Sequence, residues 1–465
     1  MPSRCTWTLV ACALVRATAA RGQPAPSTSS PTEEVPPAHA RPAPAAPPPV
    51  PATSAAEAPA PAAASPPVAP APPPSAKPPP IRLELHGFAG GSIYLQDAGL
   101  GPNHGGGAWY VTGEPARDAW SLGGDVRQTR LNVAAVGAPV MHGAIPRAVI
   151  EIDLFGGNGA GAFGDASVVP RLRQAYAELA WETTKVQVGQ THSLVLAMTP
   201  TTVGHVAFPL TYTAGTIGWR FPGIFVYRTV ALPGPDTTAE IAVMIARAAW
   251  QNPSNAPFAD SQPGSGDGKP YVSQDALGIG LGEASGLPQV EVRARFKRPH
   301  IEGFAAGHAH RVDRSGTGTS TGTQINLDVL AANAGCKLGL GPLTVQGSGY
   351  VGKNLAPLVG SLLQFQGPTS SDVREWGAWG QVGFAIDERL SVWALAATSR
   401  PRASDVRAAG LTRLRNTVAS AMVRYQDGGY ALGLELTRWA TRKSAGADAT
   451  SLSGDQIMSS ASYTF

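Results

Sequence analysis

Cysteine is nearly absent. The chain has 3 cysteines in 465 residues, and Cys5 and Cys12 fall within the first 20 positions. Cys336 is the third, so beyond those positions neither an internal disulfide nor a cysteine zinc cluster can form. Charge is sparse as well, at 15% of residues against about 25% in an average soluble domain. The formal charge is +4 and no basic run or stripe occurs, so the electrostatic footprint of a nucleic-acid binder is missing. No stretch of about 18 apolar residues lies beyond the first 20, which excludes an ordinary transmembrane helix there.

What the chain does have is glycine (54) and proline (43), unevenly distributed. Residues 1–20 combine Arg4, an apolar run from Trp7 to Val15 and an Ala-rich end, the pattern of a cleaved secretory signal. Leu9-Val10-Ala11-Cys12 also fits a lipobox, although the apolar run continues past Cys12. Residues 21–80 hold 22 of the 43 prolines, interleaved with alanine. Such a segment builds no core and favours extended polyproline, so it reads as a disordered periplasmic spacer that could contact peptidoglycan. Deleting 24–80 behind an intact leader is expected to leave the activity of the remaining chain unchanged; loss of activity in a correctly inserted product would make the spacer part of the functional body.

From Ile81 to Phe465 the texture is uniform, and one domain of that length is large for a single soluble core. The dominant pattern is a period of two. In Ala148 to Leu154 the even positions are apolar and the acids odd. In VEVRARF, Val290, Val292, Ala294 and Phe296 share one face, and Glu291, Arg293 and Arg295 the other. Period two over a whole domain means strands with lipid on one side and water on the other. Sixteen strands are predicted, near 83–95, 125–137, 144–154, 171–183, 185–195, 223–232, 237–250, 287–298, 300–311, 325–339, 341–353, 374–386, 389–399, 414–426, 429–440 and 455–465. Their connections alternate short and long; the long ones are 96–124, 155–170, 196–222, 251–286, 354–373 and 441–454. That alternation predicts an all-β, antiparallel, up-and-down transmembrane barrel with long outer loops and short periplasmic turns. Aromatics near strand ends suggest interfacial girdles: Trp181, Tyr425, Tyr430 and Tyr463 at one rim, Trp250, Trp376 and Trp439 at the other.

Several segments are similar to those of trimeric sixteen-strand outer-membrane porins, most of all the DcaP-like group. They are Leu83 to Phe88, Arg127 to Leu131, Glu151 to Gly156, Arg171 to Leu179 and Val188 to Thr191, which cover about residues 83–195. The resemblance implies a homotrimer in the outer membrane of a Gram-negative cell that passes small, often anionic, solutes. The Pro/Ala spacer stands where a short helical extension is expected. The terminal pair Tyr463 and Phe465 resembles an outer-membrane assembly signal.

Strand phase places Arg130, Lys185, Arg228, Arg293, Arg295, Lys297, Arg389 and Arg424 toward the lumen, with Glu151, Asp153, Glu178, Glu240, Glu291, Glu302, Asp328, Glu375 and Glu435. Arg293, Arg295 and Lys297 along one strand predict a basic wall and a weak preference for anions such as small carboxylates. Arg171 and Arg173 fall on the lipid phase unless a bulge turns them inward; the sequence leaves both open. Loop 196–222 carries Thr201, Thr202, His205 and Arg220 and, by analogy with general porins, is expected to fold inward as the constriction. His308 and His310 share a face without an evident third ligand, so no metal site is assigned. Gly318 to Gly322 matches a nucleophile-elbow string in a loop without a helix, and Gly264 to Lys269 lacks the Ser or Thr of a P-loop. The leading expectation is a passive diffusion channel with no cofactor and no nucleic-acid partner. A barrel-anchored cell-wall tether and an interfacial hydrolase are the alternatives.

Overall fold

The computed structural model describes residues 81–113, 120–156, 168–249, 281–312, 326–366, 372–445 and 448–465. The leader, the Pro/Ala segment, Trp250 and the strings at 264–269 and 318–322 lie outside these residues.

The alternating sequence folds into β1 (Arg82–Gln96), β2 (Gly99–Pro102), β3 (Ala108–Gly113), β4 (Ser121–Asp125), β5 (Arg130–Val136), β6 (Ile145–Asp153), β7 (Arg171–Ala180), β8 (Thr184–His192), β9 (Arg220–Ala231), β10 (Thr238–Ala246), β11 (Gln289–Arg298), β12 (Ile301–Val312), β13 (Leu327–Leu340), β14 (Leu343–Lys353), β15 (Arg374–Ala385), β16 (Leu390–Pro401), β17 (Arg413–Asp427), β18 (Tyr430–Ala445) and β19 (Asp448–Thr464). β2 and β3 form a separate hairpin, and the other 17 segments make one sheet. β4 and β5 pair with the outer and inner halves of β1, so together they are one interrupted stave. The result is a sixteen-stave antiparallel barrel, closed by β1 against β19. Gly87 and Phe465 seal the seam by exchanging two backbone hydrogen bonds of 3.1 Å. Closure leaves no free sheet edge, the condition for a sheet to cross hydrocarbon.

One face of the staves is exposed and apolar: Ile224, Val226 and Val230 on β9; Ile241, Val243 and Ile245 on β10; Leu432, Leu434 and Leu436 on β18. Side chains of that size in water on every stave would be very costly, so lipid is their solvent. Tyr430 and Tyr463 pack across strands at the short-turn rim with tilted rings, centroids 4.6 Å apart, and Trp376 faces out near the opposite rim.

Three expectations are corrected. The stretch 441–454 is not a long loop, because β18 and β19 run on to Ala445 and Asp448 as one hairpin. The residues there are polar on both faces, so no apolar alternation marked them. Trp439 is not at the lipid rim but fully buried inside, on the same phase as Glu435 and Thr437. The stave at 125–137 breaks at Val126 to Thr129, which frees Gln128 to turn inward.

The interior is only partly polar. The inner faces of β9 to β14 carry Phe225, Met244, Phe304, Val329 and Tyr350, packed on Leu194, Val195, Leu355 and Leu358 from inward loops. The β2–β3 hairpin also folds in: Val111 N–H donates to Thr441 Oγ1 at 2.9 Å, and Asn416 Nδ2 donates to the Trp109 carbonyl at 2.8 Å. The Trp109 ring lies edge-on to Phe208 and Tyr212, with centroids 5.2 and 5.3 Å away. Trp109→Ala is expected to remove about 3–5 kcal/mol from this cap, through lost burial and the cavity left behind. The barrel should survive on an unboiled detergent gel while protease cleavage within 96–113 accelerates; unchanged cleavage would refute the packing role.

Candidate functional site

β7 enters the barrel with Arg171-Leu172-Arg173, which simple alternation would turn toward lipid. A bulge shifts its register on β6, from Glu151 opposite Gln174 to Ile152 opposite Leu172. The extra residue gives both arginines to the lumen, and Leu172 alone stays exposed to lipid. Arg173 Nε donates to Glu151 at 2.7 Å and its Nη1 to Asp153 at 2.8 Å. Arg171 Nε donates to the other Asp153 oxygen at 2.9 Å. Arg130 lies 3.8 Å from Glu151, and Arg220, at the start of β9, is buried with its guanidinium 4.6 Å from the Trp219 ring centre. Three arginines therefore share two carboxylates, and Arg220 is buried in the same sector. Arg220 Nη1 is buried with no hydrogen-bond partner among the described residues.

The predicted inward loop follows β8 and makes a circuit of the wall. Ser193 Oγ and the Leu194 and Val195 N–H groups donate to Glu291 on β11, at 2.8, 2.5 and 3.3 Å. Asn333 on β13 donates to the Val195 carbonyl at 2.7 Å, and Arg295 to the Ala197 carbonyl at 2.9 Å. Thr201 is clamped by Gln381 on β15, which accepts from its N–H at 2.8 Å and donates to its carbonyl at 2.7 Å. Thr202 Oγ1 donates to Glu435 on β18 at 2.6 Å. Gly204 has no room for a Cβ against Met458 of β19. Gln128 accepts from Val206 N–H at 2.7 Å, and Arg130 and Arg173 close the circuit on the Val206 and Ala207 carbonyls at 3.0 and 3.3 Å. Fully extended, about fifteen residues would reach roughly 50 Å, so the ring they form is at most about 16 Å across, backbone to backbone. His205 sits on this ring against Trp439, and burial pushes its imidazole pKa down. Burial pushes Tyr212, further along the loop, up to about 12; its hydroxyl donates to the Gly218 carbonyl at 3.0 Å.

The remaining sequence-selected residues divide. Glu178 faces inward with Gln187 at 2.7 Å and Lys185 at 3.8 Å. Arg424 lines an inner cavity of about 170 Å³ with Thr202, Gln128 and Asp125. Glu375 and Glu435 are inward and buried. Arg293 and Arg295 do lie on the inner face of β11, but each has its own acid: Glu240 at 2.8 Å and Glu302 at 3.5 Å. Lys297 is exposed and in no ion pair among the described residues. Glu291 neutralises none of these three, since the loop and His308, at 2.7 Å, occupy it. Two residues change face. Arg228 shares the outward phase of Ile224, Val226 and Val230, and Asp328 pairs with Arg311 on the outside of β12 at 2.9 Å. Arg389 belongs to a turn. His308 and His310 bond each other at 2.8 Å, and among the described residues no three metal-ligating side chains converge.

Gln128, Gln381, Asn333 and Gln346, whose Nε2 donates to Thr201 Oγ1 at 3.2 Å, were missed as loop anchors. Gln346 and Gln381 pair with each other across β14 and β15 at 2.7 Å, and nothing in the sequence marks any of the four as a seat for a loop in the lumen.

A closed sixteen-stave barrel, apolar outside and crossed within by the loop after its fifth stave, defines the fold of the large outer-membrane channels. Solved structures agree. The outer membrane channel DcaP of Acinetobacter baumannii superposes with a TM-score of 0.60 at 16% identity, over 83% of this chain and 97% of that one. OmpF of Salmonella typhi, in complex with daunomycin, gives 0.48 at 12% identity over 82% and 97%, and the trimer form of OmpT from Vibrio cholerae 0.47 at 11% over 83% and 99%. No family model and no curated protein matches the sequence.

Proposed function

We propose that this chain is an outer-membrane diffusion channel for small hydrophilic solutes, with a weak preference for anions such as small carboxylates. The observation that carries the reading is a lipid-clad barrel with four arginines and two carboxylates crowded on one sector of its inner wall, while Glu291 and Glu435 elsewhere along the ring are taken up by hydrogen bonds from the loop. A field of that sign, in a narrow water path, raises the local concentration of anions. The preference is thus seated on β5, β7 and β9 rather than on the paired arginines of β11. The leader directs export and is removed; the Pro/Ala spacer stays periplasmic, in reach of peptidoglycan. Homotrimer assembly follows the neighbour solved as a trimer. Tyr463 and Phe465 serve as the assembly signal, consistent with the seam they close.

The experiment is single-channel recording of the purified protein in a planar bilayer, beside its heat-modifiable migration on a detergent gel. Discrete conductance steps with an anion-favouring zero-current potential are expected. A folded barrel without conductance would overturn the reading and return it to a tether, or, if it cleaved ester substrates, to an interfacial hydrolase.

A further inference from the structure

On the outside of the barrel, three arginines stand in one row. In β16, β17 and β18 the buried Ser399, Asn416 and Thr441 alternate with Arg400, Arg415 and Arg442, which are exposed on the lipid side. Arg415 lies directly opposite Arg442, Ser399 opposite Asn416, and the same register puts Arg400 beside Arg415. Trp376 on β15 faces Arg400 and extends the row as an interfacial aromatic. Like charges directly opposite on adjacent strands repel. No acid relieves them: the nearby carboxylates Asp405 and Asp455 pair with Arg402 and Arg438, and the three row arginines have no ion pair among the described residues.

Immediately on the membrane side of the row, small side chains leave a groove of about 530 Å³. Ala378, Gly380, Ala396, Thr398, Ala419 and Ala440 line it, with Arg415 and Arg438 at its edge. Three cations about 4.8 Å apart match the oxygens of a phosphate-bearing headgroup, which arginine binds in bidentate fashion. A shallow apolar channel below them matches acyl chains.

We propose that this face holds one phosphorylated, multiply acylated lipid of the outer leaflet, phosphate on Arg400, Arg415 and Arg442 and chains in the groove. The inference rests on the outer-membrane barrel reading but not on solute passage, since none of these residues faces the lumen.

The test is native mass spectrometry of the full chain in detergent. The probes are diphosphorylated hexa-acyl lipid A and its enzymatically dephosphorylated form. Wild type should retain the diphosphorylated lipid, and R400A/R415A/R442A should lose at least about tenfold in apparent affinity. Ala396→Trp, which fills the groove and leaves every charge in place, should lose retention too. Both variants should keep wild-type heat modifiability and conductance. Equal retention by the triple variant, equal retention of the dephosphorylated lipid, or displacement by millimolar inorganic phosphate would overturn the proposal; the last would mark a free-anion site. Loss of oligomer in the triple variant without lipid retention by wild type would make the face a contact between copies. Lipid retained by a barrel that never conducts would fault the channel reading and leave this one standing.

Discussion

Replacing Glu291 and Glu435 together by alanine is expected to raise single-channel conductance several-fold. Glu291 holds the start of the inner ring and Glu435 a second point further along it. Glu291 accepts from Ser193, Leu194 and Val195; Glu435 accepts from Thr202 and, at 3.3 Å, from Gly204 N–H. A hydrogen bond to a charged group contributes about 1.5–3 kcal/mol, so losing one strong anchor at each of these two points shifts the local latched-to-free ratio by at least about a hundredfold. Between its remaining anchors on Gln381, Gln128, Arg130 and Arg173, the loosened loop then swings over a wider range. Neutral sugars too large for the wild type should also enter faster in liposome swelling. Glu435→Gln, which keeps an acceptor in place, should give a smaller increase. Unchanged conductance in the double alanine variant would show that the ring holds without them.

The second large effect concerns selectivity. Arg130→Ser with Arg220→Ser reduces four arginines to two against Glu151 and Asp153, and Arg171 and Arg173 still cover both acids. No buried carboxylate is stranded, so the fold is not at risk. With the excess charge gone, the field over the surrounding Debye length of about 8–10 Å collapses. The zero-current potential in a KCl gradient should move toward cation selectivity. Arg293→Ser with Arg295→Ser should move it far less, because each of those arginines is already matched by Glu240 or Glu302. A larger shift from the β11 pair would return the selecting wall to that strand.

The architecture was legible because lipid on one side and water on the other impose period two, and each of the sixteen expected staves has its counterpart. Where legibility failed, the cause was local. Arg171 and Arg173 could not be placed, since one inserted residue reverses their phase; the two acids Glu151 and Asp153 on the neighbouring stave were the signal that both arginines belong inside. Arg228 and Asp328 were assigned inward on strand phase, yet both face out toward the ends of their strands, Asp328 paired with Arg311 and Arg228 donating to Thr184 Oγ1 at 2.7 Å. The loop was recognised by its position and apolar content. Its circuit was not legible, because each anchor is an unremarkable Asn, Gln or Glu whose partner lies tens to hundreds of residues away.

That separation sets an order of assembly. Thr202 and Glu435 are 233 residues apart, and Thr201 and Gln381 are 180. The loop emerges with the first half of the chain, but its seats on β15 and β18 are completed only with the last staves. Closing such long segments is entropically unfavourable until the sheet itself has brought the ends together. The ring therefore cannot take its seat on β18 until the penultimate stave is in place, so its closure on that side comes late in the making of the barrel.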